Sequence, residues 1–145
     1  MTELQNQKIL WLSRARKAEQ NLHALKTVCR RDESLLQELE LFEECSDLHQ
    51  QLEHTLAQVQ EQLTSLIIIR EEIRRIILTL PDLQEQAILL RKYLAYETNE
   101  QIADAMFYDP RTIQRKHKQA LDRISLPAES RISETTIFQN ITCEN

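Results

Sequence analysis

Between Asp109 and Ile124 the chain sets Arg111, Thr112, Gln114, Arg115, Lys116, Lys118 and Arg123 around a helical repeat of Ile113, Ala120, Leu121 and Ile124. These polar types are the ones that recognise double-stranded DNA. A guanidinium forks onto the two acceptors of guanine and a carboxamide pairs with adenine, each good pair discriminating by roughly 1–3 kcal/mol. Asp109 is suited to cap such a helix and Pro110 to occupy its first position, where no N–H is needed. The helix then points Arg111, Thr112, Gln114, Arg115 and Lys118 outward from its N-terminal half, the part that reaches base edges and phosphates in the major groove. Lys116, Lys118 and Arg123 are expected to meet phosphates, which position a protein without reading sequence.

Charge is concentrated in the same place. The 145 residues carry a net charge of −5, yet residues 110–124 hold five Lys/Arg against the single acid Asp122. The stretches 1–66, 67–109 and 125–145 are each net acidic. A local basic face on an acidic body fits a confined DNA contact and discourages non-specific binding.

Other chemistries find little footing. The sequence has no Gly, so neither Gly-rich phosphate loop can be written. His49 and His54 are five apart, which is not metalloprotease spacing, and His23 and His117 stand alone. No serine or cysteine sits in a nucleophile context. Cys29, Cys45 and Cys143 form no paired-cysteine motif, as expected of reduced thiols in a cytoplasmic protein. Polar residues interrupt the first ten positions, and nothing approaches the roughly 20 apolar residues of a membrane span. Neither catalysis, cofactor, metal nor membrane is expected.

The elements that must hold the basic helix are helical. With 41% hydrophobic residues, no Gly and three Pro, the composition indicates an all-α protein. Trp11, Ala15, Ala18, Leu22, Leu25 and Cys29 form a narrow heptad seam, predicting one helix over 3–30. Residues 31–47 read as a connection with a short helix. A second seam, Leu52, Leu56, Val59, Leu63, Leu66, Arg70, Ile73, Ile77 and Leu80, predicts a helix over 48–80. Ile67, Ile68, Ile69 and Ile76 are expected to widen its apolar surface. Together these helices suggest a long antiparallel, coiled-coil-like hairpin over 1–80, for oligomerisation or partner binding, with a homodimer expected. Pro81 ends that unit. Residues 82–96 form the next helix, with Leu83, Ala87, Leu90 and Leu94 inward. Thr98 or Asn99 caps a short helix with Ile102, Ala103 and Met106 inward, which completes a DNA-binding unit over 81–124. Pro127 and scattered Ser/Thr mark 125–145 as a disordered tail.

The segment from Leu80 to Ile124 resembles region four of bacterial sigma factors. The matching residues are Leu80-Pro81, Lys92-Tyr93, Glu100-Gln101-Ile102-Ala103, Asp109, Ile113 and Ala120-Leu121. With helices in front, the whole is similar to small phage and prophage transcriptional regulators of Gram-positive bacteria, the ArpU- and RinA-like late regulators. That resemblance implies a helix-turn-helix reading duplex DNA, with RNA polymerase as a possible partner. Three positions depart from the family. Phe107 stands where its turn usually has Gly, which leaves the turn geometry open. Pro110 replaces a DNA-contacting Arg, so recognition of a −35 element is not carried over. Lys116 takes an apolar position, so its stem must pack while its charge reaches water. Two other readings stand beside the regulator: a DNA-packaging component of small-terminase type, and a region-four-like adaptor that binds protein and not DNA.

Overall fold

A computed structural model of the chain describes residues 1–127; most of the tail expected over 125–145 lies outside the described residues. The described chain is all-helical: α1 (Glu3–Leu12), α2 (Arg14–Glu40), α3 (Ser46–Ile77), α4 (Leu83–Tyr93), α5 (Asn99–Met106) and α6 (Pro110–Arg123).

The helix expected over 3–30 is two. It breaks at Ser13, and α2 then runs on to Glu40 through most of the expected connection. No Gly or Pro stands in 31–40 to stop it, and Leu36 continues the buried seam. Ser34, a possible cap by type, instead donates from Oγ to the Arg30 carbonyl within the helix at 3.1 Å. Only Leu41 to Cys45 separates α2 from α3.

These two long helices lie antiparallel. Arg14 pairs with Glu72 at one end (3.0 Å), and His49 with Glu40 at the other (3.0 Å). Between the ends, Ala15, Leu22, Cys29 and Leu36 of α2 are buried with Val59, Leu66 and Ile73 of α3. Both sets repeat every seven residues, the period that keeps two helix faces in register as they wind together. Arg70 interrupts the seam as expected and is given a partner: it donates to the Tyr96 hydroxyl at 2.8 Å and lies over that ring. Ile69 and Ile76 pack on the core, but Ile67 and Ile68 face solvent, so the isoleucine run widens the contact on one side only.

The inward face of α4 also differs from expectation. Asp82 caps the helix, accepting from the Gln84 N–H at 2.8 Å, and Leu83 is left 76% exposed. The buried positions are Glu85, Ile88, Leu89 and Tyr93, with Leu94 following; Ala87 and Leu90 are half-buried. This helix is pressed from both sides, by α3 and by α6, and a single leucine stripe does not report two contacts.

Nor does the core divide at Pro81. One cluster runs from Trp11 and Leu12 through the α2–α3 seam to Leu89, Tyr93, Leu121 and Ile124. The break at Ser13 turns α1 back against α6, where buried Lys8 donates from Nζ to the Leu121 carbonyl (2.7 Å) and Gln5 donates to Asp122 (2.7 Å). Lys8 thereby satisfies an orphan carbonyl in the last turn of α6 with a cation, the charge favoured at that end.

Replacing Lys8 by Met keeps the stem and deletes the donor. The expected cost is about 1–3 kcal/mol, the range for orphaning a buried polar group. Trp11 is the only tryptophan and is buried beside this contact. Its emission should shift to the red in the variant before global unfolding in urea. Wild-type midpoint and emission would show that the bond contributes nothing.

Candidate nucleic-acid interface

Two short helices and three linking residues set the basic face. Thr98 starts α5 with a capping box: its side chain accepts from the Gln101 N–H (3.3 Å), and Gln101 returns the bond to the Thr98 N–H (2.9 Å). Ile102 and Ala103 are buried against Ile113 and Ile88, with Met106 and Tyr108 packed at the edge. The small side chain of Ala103 leaves room for α6 to approach.

The turn at Phe107 takes the left-handed form that glycine favours. Phe107 has φ 59° and ψ 43°, and the Tyr108 N–H reaches back to the Ala103 carbonyl at 2.9 Å. Left-handed backbone costs a residue with a Cβ roughly 1–2 kcal/mol. Phe107 recovers nothing by packing, since it is 94% exposed. The geometry is imposed by α5 and α6, each fixed by its own cap and core contacts.

Asp109 caps α6, accepting from the Arg111 N–H at 2.9 Å, and Pro110 opens it. Ile113, Ala120, Leu121 and Ile124 are buried as the periodicity requires. His117 joins them, and its 2.6 Å hydrogen bond with the Tyr93 hydroxyl ties α6 to α4. The spacing gave notice of this, because His117 lies four residues from both Ile113 and Leu121. Burial, followed by the nearby charges of Lys92 and Lys118, lowers the His117 pKa from 6.5 to about 4. Burial raises the Tyr93 hydroxyl. The pair is therefore a neutral hydrogen bond near pH 7 and has no acid–base task there.

The seven polar residues of the basic stretch separate into two groups. Arg111, Gln114, Arg115 and Lys118 are exposed, with Thr112 half-buried at the edge. Arg111, Arg115 and Lys118 follow one another by four and three residues, so they form one stripe opposite the buried face. Lys116 and Arg123 turn toward α4. Lys116 donates to Gln84 (2.8 Å) and sits 5.4 Å over the Tyr108 ring, so its stem packs while its charge stays wet, as its sequence position demanded. Arg123 pairs at 2.9 Å with Glu85, whose carboxylate is buried. A buried glutamate was not anticipated, although its spacing of three and four from Ile88 and Leu89 places it on their face. Lys116 and Arg123 thus fasten α6 to the body, whereas Arg111, Arg115 and Lys118 have no such bond among the described residues.

Gln114, His117 and Lys118 also border an open groove of about 600 Å³, whose other walls come from α1, the start of α2, the end of α4 and the start of α5. In comparisons with known proteins, no family model, no curated protein and no solved structure matches the chain.

Two measurements test this geometry. Phe107→Gly should stabilise the protein by about 1 kcal/mol, because it removes left-handed strain and no packing; an unchanged or lower thermal midpoint would contradict the strain. The second concerns His117. Its folded pKa, about 4, lies below its ordinary 6.5, so the unfolded chain takes up the proton first. The stabilisation is complete above pH 6.5 and is lost as pH falls toward 4, by about 3 kcal/mol over that window. The gap in urea stability between wild type and His117→Gln should therefore shrink between pH 7 and pH 4.5. A constant gap would show that His117 is not held neutral.

Proposed function

We propose that this chain is a sequence-specific DNA-binding transcriptional regulator of the phage or prophage type. In this reading α5, the Phe107 turn and α6 are a helix-turn-helix, and α6 is the recognition helix in the major groove. The observation that carries it is the stripe of Arg111, Arg115 and Lys118. The stripe is exposed on the N-terminal half of a capped helix and forms no ion pair among the described residues. Cations left unneutralised on an otherwise acidic protein have phosphate and base edges as their natural complement. The resemblance to sigma region four supports the same reading. No helix among the described residues is long and apolar enough to cross a membrane.

The α2–α3 pair forms the second half of the proposal, a helical hairpin projecting about 40 Å from the DNA-reading end by its residue count. Its two seams bury each other, so a homodimer would have to use outer faces such as that carrying Ile67 and Ile68. At the far tip Leu41 is 81% and Phe42 86% exposed, among Glu38, Glu40, Glu43, Glu44 and Asp47. Two acidic tips repel, and a partner surface rimmed by Lys or Arg suits this one better; RNA polymerase is the partner that the resemblance implies. The same tip favours the adaptor reading, in which the chain binds protein and not DNA.

Selection from a random duplex pool followed by anisotropy titration separates the two. Enrichment of a defined site is expected, and Gln114→Ala and Arg115→Ala should each lower affinity for it by roughly tenfold or more, one or more lost base pairings' worth, with helical circular dichroism unchanged. Failure to enrich any sequence would remove the DNA reading and leave the adaptor. Retained specific binding in both variants would remove the assignment of the base-reading residues.

A further inference from the structure

We propose that the groove beside α6 is a track for the phosphodiester backbone of the bound duplex, with Arg16 of α2 as a phosphate contact that the basic helix alone does not reveal. This rests on the DNA-binding reading above. Three cations from three distant parts of the chain meet at the groove: Arg16 from α2, Lys92 from α4 and Lys118 from α6. On a protein of net charge −5, such a convergence is selective for an anion. Arg16 is exposed and forms no ion pair among the described residues, and the same holds for Lys118.

Acids also face the groove. Glu97 is already held by Arg91 at 3.2 Å, which leaves Glu100 as the opposing carboxylate. Lys92 is half-buried and donates to Asn99 at 2.8 Å, so its ammonium is fixed in place. Burial lowers its pKa, with only Glu100 acting to raise it. An arriving phosphate would supply the counter-charge that this ammonium lacks.

Position makes the ligand a duplex backbone and not a free anion. Lys118 belongs both to the groove and to the Arg111–Arg115 stripe, so a strand lying in the groove would be continuous with the bases under α6. The groove opens to solvent, so a strand has access to it. Arg16 lies at the root of the hairpin, three residues past the break at Ser13. The bend that docks α1 on α6 therefore also brings this arginine to the DNA side, and the hairpin arm becomes fixed in direction relative to the duplex.

Phosphate contacts leave a signature distinct from base contacts. The experiment uses the full chain, the duplex it selects from a random pool, and an unrelated duplex of equal length, titrated from 50 to 300 mM KCl. Arg16→Ala should lower affinity for both duplexes by a similar factor, about five- to tenfold near 100 mM. It should also reduce the slope of log K against log salt by about one, leaving the ratio between duplexes unchanged. Arg16→Lys should restore the slope. Arg31→Ala, about 22 Å further along α2 by helical rise, should change neither quantity. Wild-type affinity and slope in Arg16→Ala would overturn the track while leaving the DNA reading intact. Equal loss in Arg31→Ala would overturn it too, by showing a diffuse charge effect. A wild-type chain that binds neither duplex would overturn the DNA reading and the track together.

Discussion

Lys8 reaching from α1 to the Leu121 carbonyl is the contact on which the arrangement of the chain turns. A lysine head is costly to bury unless its charge is answered. Here the answer is the carbonyl end of a helix, which carries partial negative charge and lacks intrahelical donors. The helix is interrupted for one residue at Ser13, and Lys8 and Gln5 of α1 both bond to α6. Once α1 lies on α6, Trp11 and Leu12 complete the core over Leu121 and Ile124, and Arg14 covers the Trp11 ring at 4.4 Å. The root of the long helix pair is then seated on the same body that carries the basic face. Lys8, Trp11, Leu12 and Ala15 are all buried across the interruption at Ser13, so α1 gives α6 both its C-terminal cover and part of its core.

The helical class, the positions of α3 to α6 and the buried side of α6 were legible in the sequence, because α3 rests on one long periodicity and α4 to α6 each on a periodicity and a cap. Asp82, Thr98 and Asp109 all cap the helices that their types predict. What escaped was every place where a polar residue is buried by a distant partner. Lys8 breaks the run of apolar spacing before Trp11, Glu85 drew no assignment, and His117 stood as an isolated histidine. Each lies at the spacing of the apolar residues around it. Periodicity therefore located them on a buried face, and only the partner, 113, 38 or 24 residues away, was invisible. In the other direction, α2 ran past its expected end because nothing in 31–40 forbids a helix, and the absence of a stop signal is weaker evidence than a stop.

Polar bonds on the inner side of α6 also decide what its outer side can do. Arg123 bonded to Glu85, and Lys116 to Gln84, take up the two cations on the α4 flank. Arg111, Arg115 and Lys118 are left on the opposite surface. Had the seven polar residues been equally free, the helix would present charge nearly all round and could meet a duplex in several rotations. Engaging two of them narrows the free charge to one stripe, so the internal fastening and the external basic face are set by the same division of residues.

Rotation of α6 about its axis is pinned most tightly at His117. One residue of slip would turn the helix by about 100°, since 3.6 residues complete a turn. That slip would bring Lys116 or Lys118 to the Tyr93 hydroxyl and expose Ile113 or Leu121. A charged ammonium at a site that already holds the imidazole neutral would be strongly disfavoured, so the alternatives are separated from the native rotation by electrostatics as well as by packing. Phe107 shows the strength of that constraint. With α5 held by Ile102 and Ala103, and α6 held by Ile113 and His117, the residue between them has no freedom to relax. It accepts a left-handed backbone that its own side chain disfavours. The absence of glycine, which left the turn geometry open in the sequence, is thus absorbed by the rigidity on either side, and the basic stripe keeps its direction.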